Sequence, residues 1–440
     1  MPTPATITDL VVHDVRFPTS EFLDGSDAMN PDPDYSAAYV ELRTSDPALT
    51  GWGMTFTIGR GNELCTATIE AFRPHVVGRS LDELEADLGR IATDLTSDSQ
   101  LRWLGPEKGV VHLATAALVN AHWDLLARRA GTPLWKYLVD LTPAQVVQAI
   151  DFRHISDVLS PATALGLLEA KAAGKAEREA QLLADGYPAY ITSAGWLGYD
   201  DDKVRTQCQK AIADGWTALK MKVGRDIVDD RRRAAIIRGE IGADRLLMLD
   251  ANQVWDVEEA ITNVVSMSAL DPYWIEEPTS PDDILGHARI RAAVTPIKVA
   301  TGEHCHNRVM FKQLFQAGAI DVCQLDGCRL GGVNEVLAVL LMAALYDVPV
   351  CPHAGGIGLC EHVQHFSMFD FVAVSGSLDG RMVEYADHLH EHMVQRLVVE
   401  QGRYRAPTGP GLGVELEPAS LARYSYPDGG HWAGERGARA

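Results

Sequence analysis

From about Tyr187 onward the chain keeps a beat that few folds can satisfy. Short apolar runs alternate with amphipathic helical stretches: "AYITSAGW", "TALKMKV", "LLMLDAN", "YWIEEP", "IKVATGE", "IDVCQLD", "VPVCPH" and "FVAVS". Each starts some 23 to 30 residues after the one before, enough for one strand, one helix and two loops. That is the mark of βαβ units and a parallel sheet. Eight units in series over residues 187–389 predict an α/β barrel of the TIM type rather than an open sheet.

The ionisable residues fall where such a barrel builds its sites. Strand after strand ends in one: Lys220 and Lys222, Asp250, Glu276, Glu303, Asp326 and His353. In a TIM barrel those C-terminal ends converge on one face, so residues distant in sequence become neighbours. Lys220 and Lys222 flank Met221 in "WTALKMKVG", and strand alternation turns both ammonium groups the same way. Two such charges about 6–7 Å apart, at an effective dielectric near 20, repel by roughly 2–3 kcal/mol, about two pKa units. Burial and a nearby divalent cation act alike, which predicts an amine lowered toward the range of a general base.

Asp250, Glu276 and Glu303 end three consecutive strands. Facing one another they repel unless a cation neutralises them. Hard oxygen ligands with room for water and substrate match Mg²⁺; the other reading pairs each acid with a basic residue of a neighbouring strand. Glu277, next to Glu276, is expected to point to the opposite face or out of the site. His353 faces the lysine strand across the mouth, and Asp326 is within reach of its ring, fixing the tautomer and leaving the other nitrogen as an acid.

Before the barrel, "ITDLVVHDVRF", "AAYVELRT" and "GWGMTFTIG" read as an antiparallel meander, and Phe22 to Ser36 as a loop rich in Gly, Asp, Asn and Pro. Helices are expected around Asp82 to Leu95 and Gly109 to Ala130, and one or two more over residues 160–185. A formal charge of −21 argues against nucleic acid and requires local positive charge to draw in an anionic substrate. No run of about 18 apolar residues is read as a membrane span, and no secretion signal is read at the start. The seven cysteines contain no CxxC pair, which suits reduced thiols in a cytoplasm.

These residues resemble the enolase superfamily, in its mandelate racemase-like subgroup. Its pattern is KxK after the second barrel strand, metal carboxylates after the third to fifth, and an Asp–His dyad from the sixth and seventh. The stretches "FPTS", "DPDYSAAYV", "RWLGPEKGVVHLATAA", "EEPTSPDDILGHA", "CRLGGVNE" and "CPHAGGIGLCEHVQH" resemble L-fuconate dehydratases in particular, over nearly the whole chain.

The resemblance implies an α/β architecture with a modified (β/α)7β TIM-type barrel at residues 187–389. An α+β N-terminal capping domain would span residues 1–140, completed by about 390–440, with a helical insertion at 141–186. It implies Mg²⁺ on Asp250, Glu276 and Glu303, and favours Glu276 over Glu277. Carried over residue by residue, Lys222 abstracts the α-proton, while Lys220 tunes it and touches the substrate carboxylate. His353, poised by Asp326, protonates the departing 3-hydroxyl. Gly25, Ser26, Asp27, Tyr35, Asn252, Ala354, Gly355 and Glu384 line the substrate pocket with Lys220, Glu303 and His353. His304 stands where related dehydratases carry glutamine and is expected to point away.

The implied reaction is dehydration of an acid sugar, L-fuconate to 2-keto-3-deoxy-L-fuconate. A racemase or epimerase, or a dehydratase of another acid sugar, is the alternative. The expected partners are the acid sugar and further copies of the chain in a homo-oligomer, without nucleic acid or membrane. A zinc hydrolase built on "HCH" (His304, His306) or "HLHEH" (His388 to His392) lacks an HxH at the first barrel strand and any HExxH. A non-catalytic scaffold would have no reason to keep the lysines, the acids and His353 together.

Overall fold

The computed structural model describes residues 5–439. Three antiparallel strands open it, β1 (Ile7–Arg16), β2 (Ser36–Thr44) and β3 (Thr50–Thr57), in the order β1-β2-β3. The helix Gly109–Arg129 lies directly on β3. Two glycines permit the approach, since a Cβ at Gly51 or Gly53 would fall 2.5 Å from the Ala121 carbonyl or 2.3 Å from that of Ala117.

That helix bears on the expectation that nothing spans a membrane. It is long and apolar enough to cross a membrane by length and composition, but most of it is buried inside the protein. Its outer face is glued to the barrel: Asn120 donates to the Gly327 carbonyl at 3.0 Å, and the Trp123 indole to Asn334 Oδ1 at 2.7 Å. Its apolar residues fill the seam between sheet and barrel, so it is a core helix.

The barrel strands are β4 (Tyr187–Gly195), β5 (Ala218–Lys222), β6 (Leu246–Asp250), β7 (Pro272–Glu276), β8 (Lys298–Thr301) and β9 (Val322–Cys323), parallel and in sequence order. "VPVCPH" contributes a single bridge, Val350 to Cys323. "FVAVS" is not the last strand: Asp370–Ser375 continues a helix as a π-turn, and the ring closes with β10 (Val383–Tyr385) paired to β4. Periodicity cannot separate a short buried apolar helix from a buried strand, and β10 is too short to announce itself.

After β10 the chain adds β11 (Val399–Glu400) and β12 (Arg403–Tyr404), the latter antiparallel to β4. It then returns to the first sheet, where Ser425 bridges Val15 and the Tyr426 amide donates to the Asp14 carbonyl at 2.7 Å. The helices Pro161–Ala172 and Lys175–Asp185 pack on the segment 370–375, with Arg178 donating to the Val372 carbonyl at 2.8 Å.

Candidate active site

One inner layer of the barrel is apolar and takes a residue from each position around the ring: Tyr190, Ala218, Met248, Trp274, Ala300, Val322, Cys351 and Met382. Strand alternation brings the next inward residue two positions later. Those residues are Thr192, Lys220, Asp250, Glu276, Gly302, Gln324, His353 and Glu384. The polar floor of the site is therefore the barrel's own packing pattern continued by one step, with charge in place of hydrocarbon.

Lys220 and Lys222 do share a face, because both ammonium groups reach Asp250 Oδ2, at 3.3 and 2.6 Å. Lys220 also meets Glu276 Oε1 at 2.6 Å and Glu384 Oε1 at 2.7 Å. The expected lowering of the lysines is not found. Burial pushes both down and their mutual repulsion pushes Lys222 down further, but the carboxylates outweigh this and hold both amines above their ordinary range. The reason is stoichiometric: with several acids at bonding distance, each lysine is a counter-ion first.

The acids are not all satisfied by that pairing. Burial and the neighbouring Asp250 push Glu276 up, so the cluster holds more carboxylate than its lysines neutralise. Glu303 Oε2 is buried without a hydrogen-bond partner, 3.5 Å from His353 Nε2, and Asn252 Oδ1 is buried and unpartnered as well. An all-oxygen donor set with a surplus negative charge and an orphaned carboxylate oxygen fits a hard divalent cation held by Asp250, Glu276 and Glu303.

His353 is oriented as the spacing suggested. Its Nδ1 lies 2.7 Å from Asp326 Oδ2, while Asp326 Oδ1 accepts the Cys328 and Arg329 amides at 2.6 and 2.9 Å. Burial works to lower its pKa, but Glu303 and the Asp326 hydrogen bond raise it to about 9. Nε2 faces Glu303 at 3.5 Å and the Gly355 amide at 3.2 Å.

A cavity of about 310 Å³ opens above this floor, between barrel mouth and cap. Lys222, Glu303, Asp326, His353, Asn252 and Glu384 line it from below, with Gly355 beside them. Gly25, Asp27 and Tyr35 line it from the cap. Gly25 has φ +80° and a Cβ there would fall 2.2 Å from Tyr35 Oη, so only glycine fits. Asp27 accepts the Met29 and Asn30 amides at 2.8 and 2.6 Å, closing its own turn.

Five predicted residues do not reach the cavity wall: Ser26, Lys220, Asp250, Glu276 and Ala354. Ser26 donates its hydroxyl to the Pro31 carbonyl, and the Ala354 amide donates to Glu384 Oε2 at 2.9 Å. Lys220, Asp250 and Glu276 form the buried floor.

Two residues expected to turn away are in the site. β8 ends at Thr301, its inward register of Ala300 and Gly302 continues to His304, and Gly302 at φ +147° lets Glu303 line the cavity beside it. Glu277 has φ +42°, which breaks alternation after β7 in the same way. Its carboxylate is buried 2.8 Å from His304 Nδ1, which also lies 3.3 Å from Glu303 Oε1, and Gln253 Nε2 donates to Glu277 at 2.9 Å. Donor atoms of Glu277, Glu303 and His304 lie within 4.8 Å of one another. His304 Nδ1 is already spent on Glu277, so we read the group as a brace for Glu303 rather than a second metal centre. Asn252 and Gln253, at φ +45° and +69°, complete a run of left-handed residues around these acids.

Sequence reasoning also missed Trp196 and Arg329 in the cavity wall, although both follow strand ends and the rule that found the acids would have found them.

Comparison with known proteins bears on the family and the fold. Residues 203–420 match the family described as Enolase C-terminal domain-like, and residues 28–138 match the Mandelate racemase / muconate lactonizing enzyme, N-terminal domain. Mitochondrial enolase superfamily member 1 of Homo sapiens is 53% identical over 429 residues, covering 97% of each chain. Its crystal structure superposes with a TM-score of 0.97 and covers 98% of this chain and 99% of that one. L-galactonate dehydratase of Hypocrea jecorina is 52% identical over 427 residues, covering 96% of this chain and 94% of that one. A racemase from Streptomyces coelicolor A3(2), solved with bound magnesium, is 26% identical at a TM-score of 0.74, covering 95% of this chain and 99% of that one. None of these three is described as an L-fuconate dehydratase.

Proposed function

The chain belongs to the enolase superfamily, and from that premise we propose that it dehydrates an acid sugar with Mg²⁺, converting L-fuconate to 2-keto-3-deoxy-L-fuconate. The observation that carries the reading is one cavity lined by Lys222, His353, Glu303 and Asn252 together. The 52% identity to L-galactonate dehydratase supports loss of water as the reaction. L-Fuconate is L-galactonate with a methyl in place of the terminal hydroxymethyl, so the two substrates pose the same stereochemical problem.

Asp250, Glu276 and Glu303 would hold the cation, and the magnesium in the racemase structure supports that choice of metal. When bound, Mg²⁺ supplies positive charge against the carboxylate whose α-carbon is deprotonated, worth several kcal/mol. With Asp250 engaged in holding the cation, Lys222 would be less tightly paired and would accept the proton from C2. Lys220, fixed by Glu276 and Glu384 on the buried floor, keeps a positive charge beneath the substrate carboxylate. His353 gives its proton to the hydroxyl leaving C3, and Asp326 keeps its Nδ1 engaged so that Nε2 does so. The capping loop at Gly25, Asp27 and Tyr35 excludes water from the reacting carbons.

Racemisation or epimerisation is the second reading, favoured by the structural likeness to the Streptomyces racemase, since the same two groups can flank C2. We carry forward a homo-oligomer, with residues 1–140 and about 390–440 acting as one cap. Seven free, buried cysteines support a reducing compartment, the cytoplasm of the sequence reading. Incubating the protein with a panel of acid sugars and Mg²⁺ and assaying the 2-keto-3-deoxy product tests the proposal. Activity on other acids but none on L-fuconate overturns the substrate, and solvent deuterium at C2 without water loss favours the racemase.

A further inference from the structure

Arg233 carries a positive charge into the protein beside the main chain of Lys222. It projects from the helix Ile227–Ile241, which follows β5, and is only 2% exposed. Nη1 donates to the Lys222 carbonyl at 3.0 Å, and Nη2 to the carbonyls of Gly195 and Trp196 at 3.1 and 2.9 Å. All three carbonyls lie where β4 and β5 end on the active face, and buried carbonyls there need donors. The two strand ends touch backbone to backbone, since a Cβ at Gly195 would fall 2.6 Å from Met221 Cα. Lys222 and Trp196 both line the cavity, so one side chain grips the main chain of two of its walls.

Burial works against this charge, and Asp230, one turn earlier on the same helix, supplies the largest opposing attraction. Yet the two groups do not spend themselves on each other. Arg233 Nε and Asp230 Oδ1 are both buried without a hydrogen-bond partner, and Asp230 Oδ2 accepts the Gly224 amide at 2.7 Å. Charges desolvated without a direct pair are costly, and what these two hold is main chain. That main chain reaches the cap. The Leu197 amide, next to Trp196, donates to the Ser26 carbonyl at 3.2 Å. Gly224, at φ +111°, lies so near Ala28 that a Cβ would fall 3.3 Å from the alanine's own. Arg233 and Asp230 thus stand between the strand end that carries Lys222 and the capping loop above it.

We propose that Arg233 is a positioning residue for proton abstraction: it fixes the main chain from which Lys222 projects and, through Trp196 and Leu197, the seat of the capping loop. The inference rests on the reading of Lys222 as the base and adds to that reaction a residue outside the cavity. A reacting group displaced by about 1 Å loses roughly 100-fold in rate.

The test takes the full chain with Mg²⁺ and an acid sugar that turns over, and compares wild type, Arg233→Met and Arg233→Lys well below their melting midpoints. Arg233→Met keeps the length of the side chain but none of its donors, and should lower kcat roughly 100-fold. The Mg²⁺ Kd, read by calorimetry, should hold. Arg233→Lys, whose ammonium lacks the guanidinium fork, should fall between the two. Substrate deuterated at C2 should slow Arg233→Met by at least the factor it slows wild type, because the impaired step is proton transfer. A purely structural arginine would lower the melting midpoint and leave kcat per folded molecule alone. That result, a smaller isotope effect, or Mg²⁺ binding lost in step with kcat overturns the proposal. If Arg233→Met does not fold, Arg233→Lys decides: a severalfold loss of kcat at unchanged Mg²⁺ affinity supports the proposal, and wild-type kcat overturns it. Should no acid sugar turn over, the dehydratase reading fails by itself, and hydrogen exchange followed by mass spectrometry decides the clamp. Faster exchange in Arg233→Lys confined to residues 195–198, 222–226 and the capping loop supports it, and unchanged exchange there overturns it.

Discussion

Glu335 offers the sharpest test of how the cap is held on the barrel. It lies on the barrel helix Val333–Leu345, with a side chain only 6% exposed. Oε1 accepts from the Arg308 amide and from Arg308 Nη1, both at 2.9 Å. Oε2 meets His112 Nε2 of the cap helix at 2.6 Å and accepts the Gly331 amide at 2.7 Å. Burial works against this charge, but His112 and then Arg308 overcome it, and the pKa falls from 4.5 to about 2. At 1.36 kcal/mol per pKa unit, the fall represents roughly 3 kcal/mol of stabilisation.

The folded pKa is depressed, so the contribution is complete above about 4.5 and is lost as pH falls from there through about 2. Glu335→Gln removes the titrating group and leaves Arg308 and His112 short of a partner. Urea unfolding followed by near-ultraviolet circular dichroism should show the variant less stable by roughly 3–5 kcal/mol at pH 7. The gap should narrow as pH drops from about 5 toward 3. A gap that is constant with pH, or that widens in acid, refutes the claim that an ionised Glu335 clamps cap to barrel.

Other outcomes follow from named contacts. Tyr199 Oη donates to Asp24 at 2.9 Å and ties the capping loop to the barrel, so Tyr199→Phe should raise KM roughly tenfold with little change in kcat, read by steady-state kinetics. Asp326→Asn keeps an acceptor for the Cys328 and Arg329 amides but removes the carboxylate on His353. Turnover should fall by roughly 10²- to 10⁴-fold while Mg²⁺ affinity by calorimetry holds. Gly25→Ala forces a Cβ onto the buried Tyr35 at left-handed backbone, so a KM increase together with a lowered melting midpoint is expected; unchanged KM would mean that the loop does not close on substrate.

The barrel was legible in the sequence because each strand had to fill one inner layer with apolar side chains and then stop in charge. That rule located the lysines, the acids and His353 without any knowledge of contacts. It failed where strand geometry ends. Glu277 sits one residue past the inward Glu276, and alternation sends it outward, but its left-handed backbone brings it back. On β8 the inward register runs through Gly302 to His304, and it is Glu303 that needs the break at Gly302 to reach the site. The pairing of the lysines escaped the sequence for another reason. Repulsion between two amines can be read from spacing, whereas the number of carboxylates at bonding distance depends on Glu384, from a three-residue strand with little sequence signal.

Proton exchange at C2 reports the central division of labour most directly. An acid sugar that turns over is incubated with Mg²⁺ in D₂O and followed by proton NMR, using wild type, Lys222→Met and His353→Asn. The account predicts water loss in the wild type, deuterium at C2 without water loss in His353→Asn, and neither in Lys222→Met. Exchange that survives in Lys222→Met, or vanishes with His353→Asn alone, would contradict it.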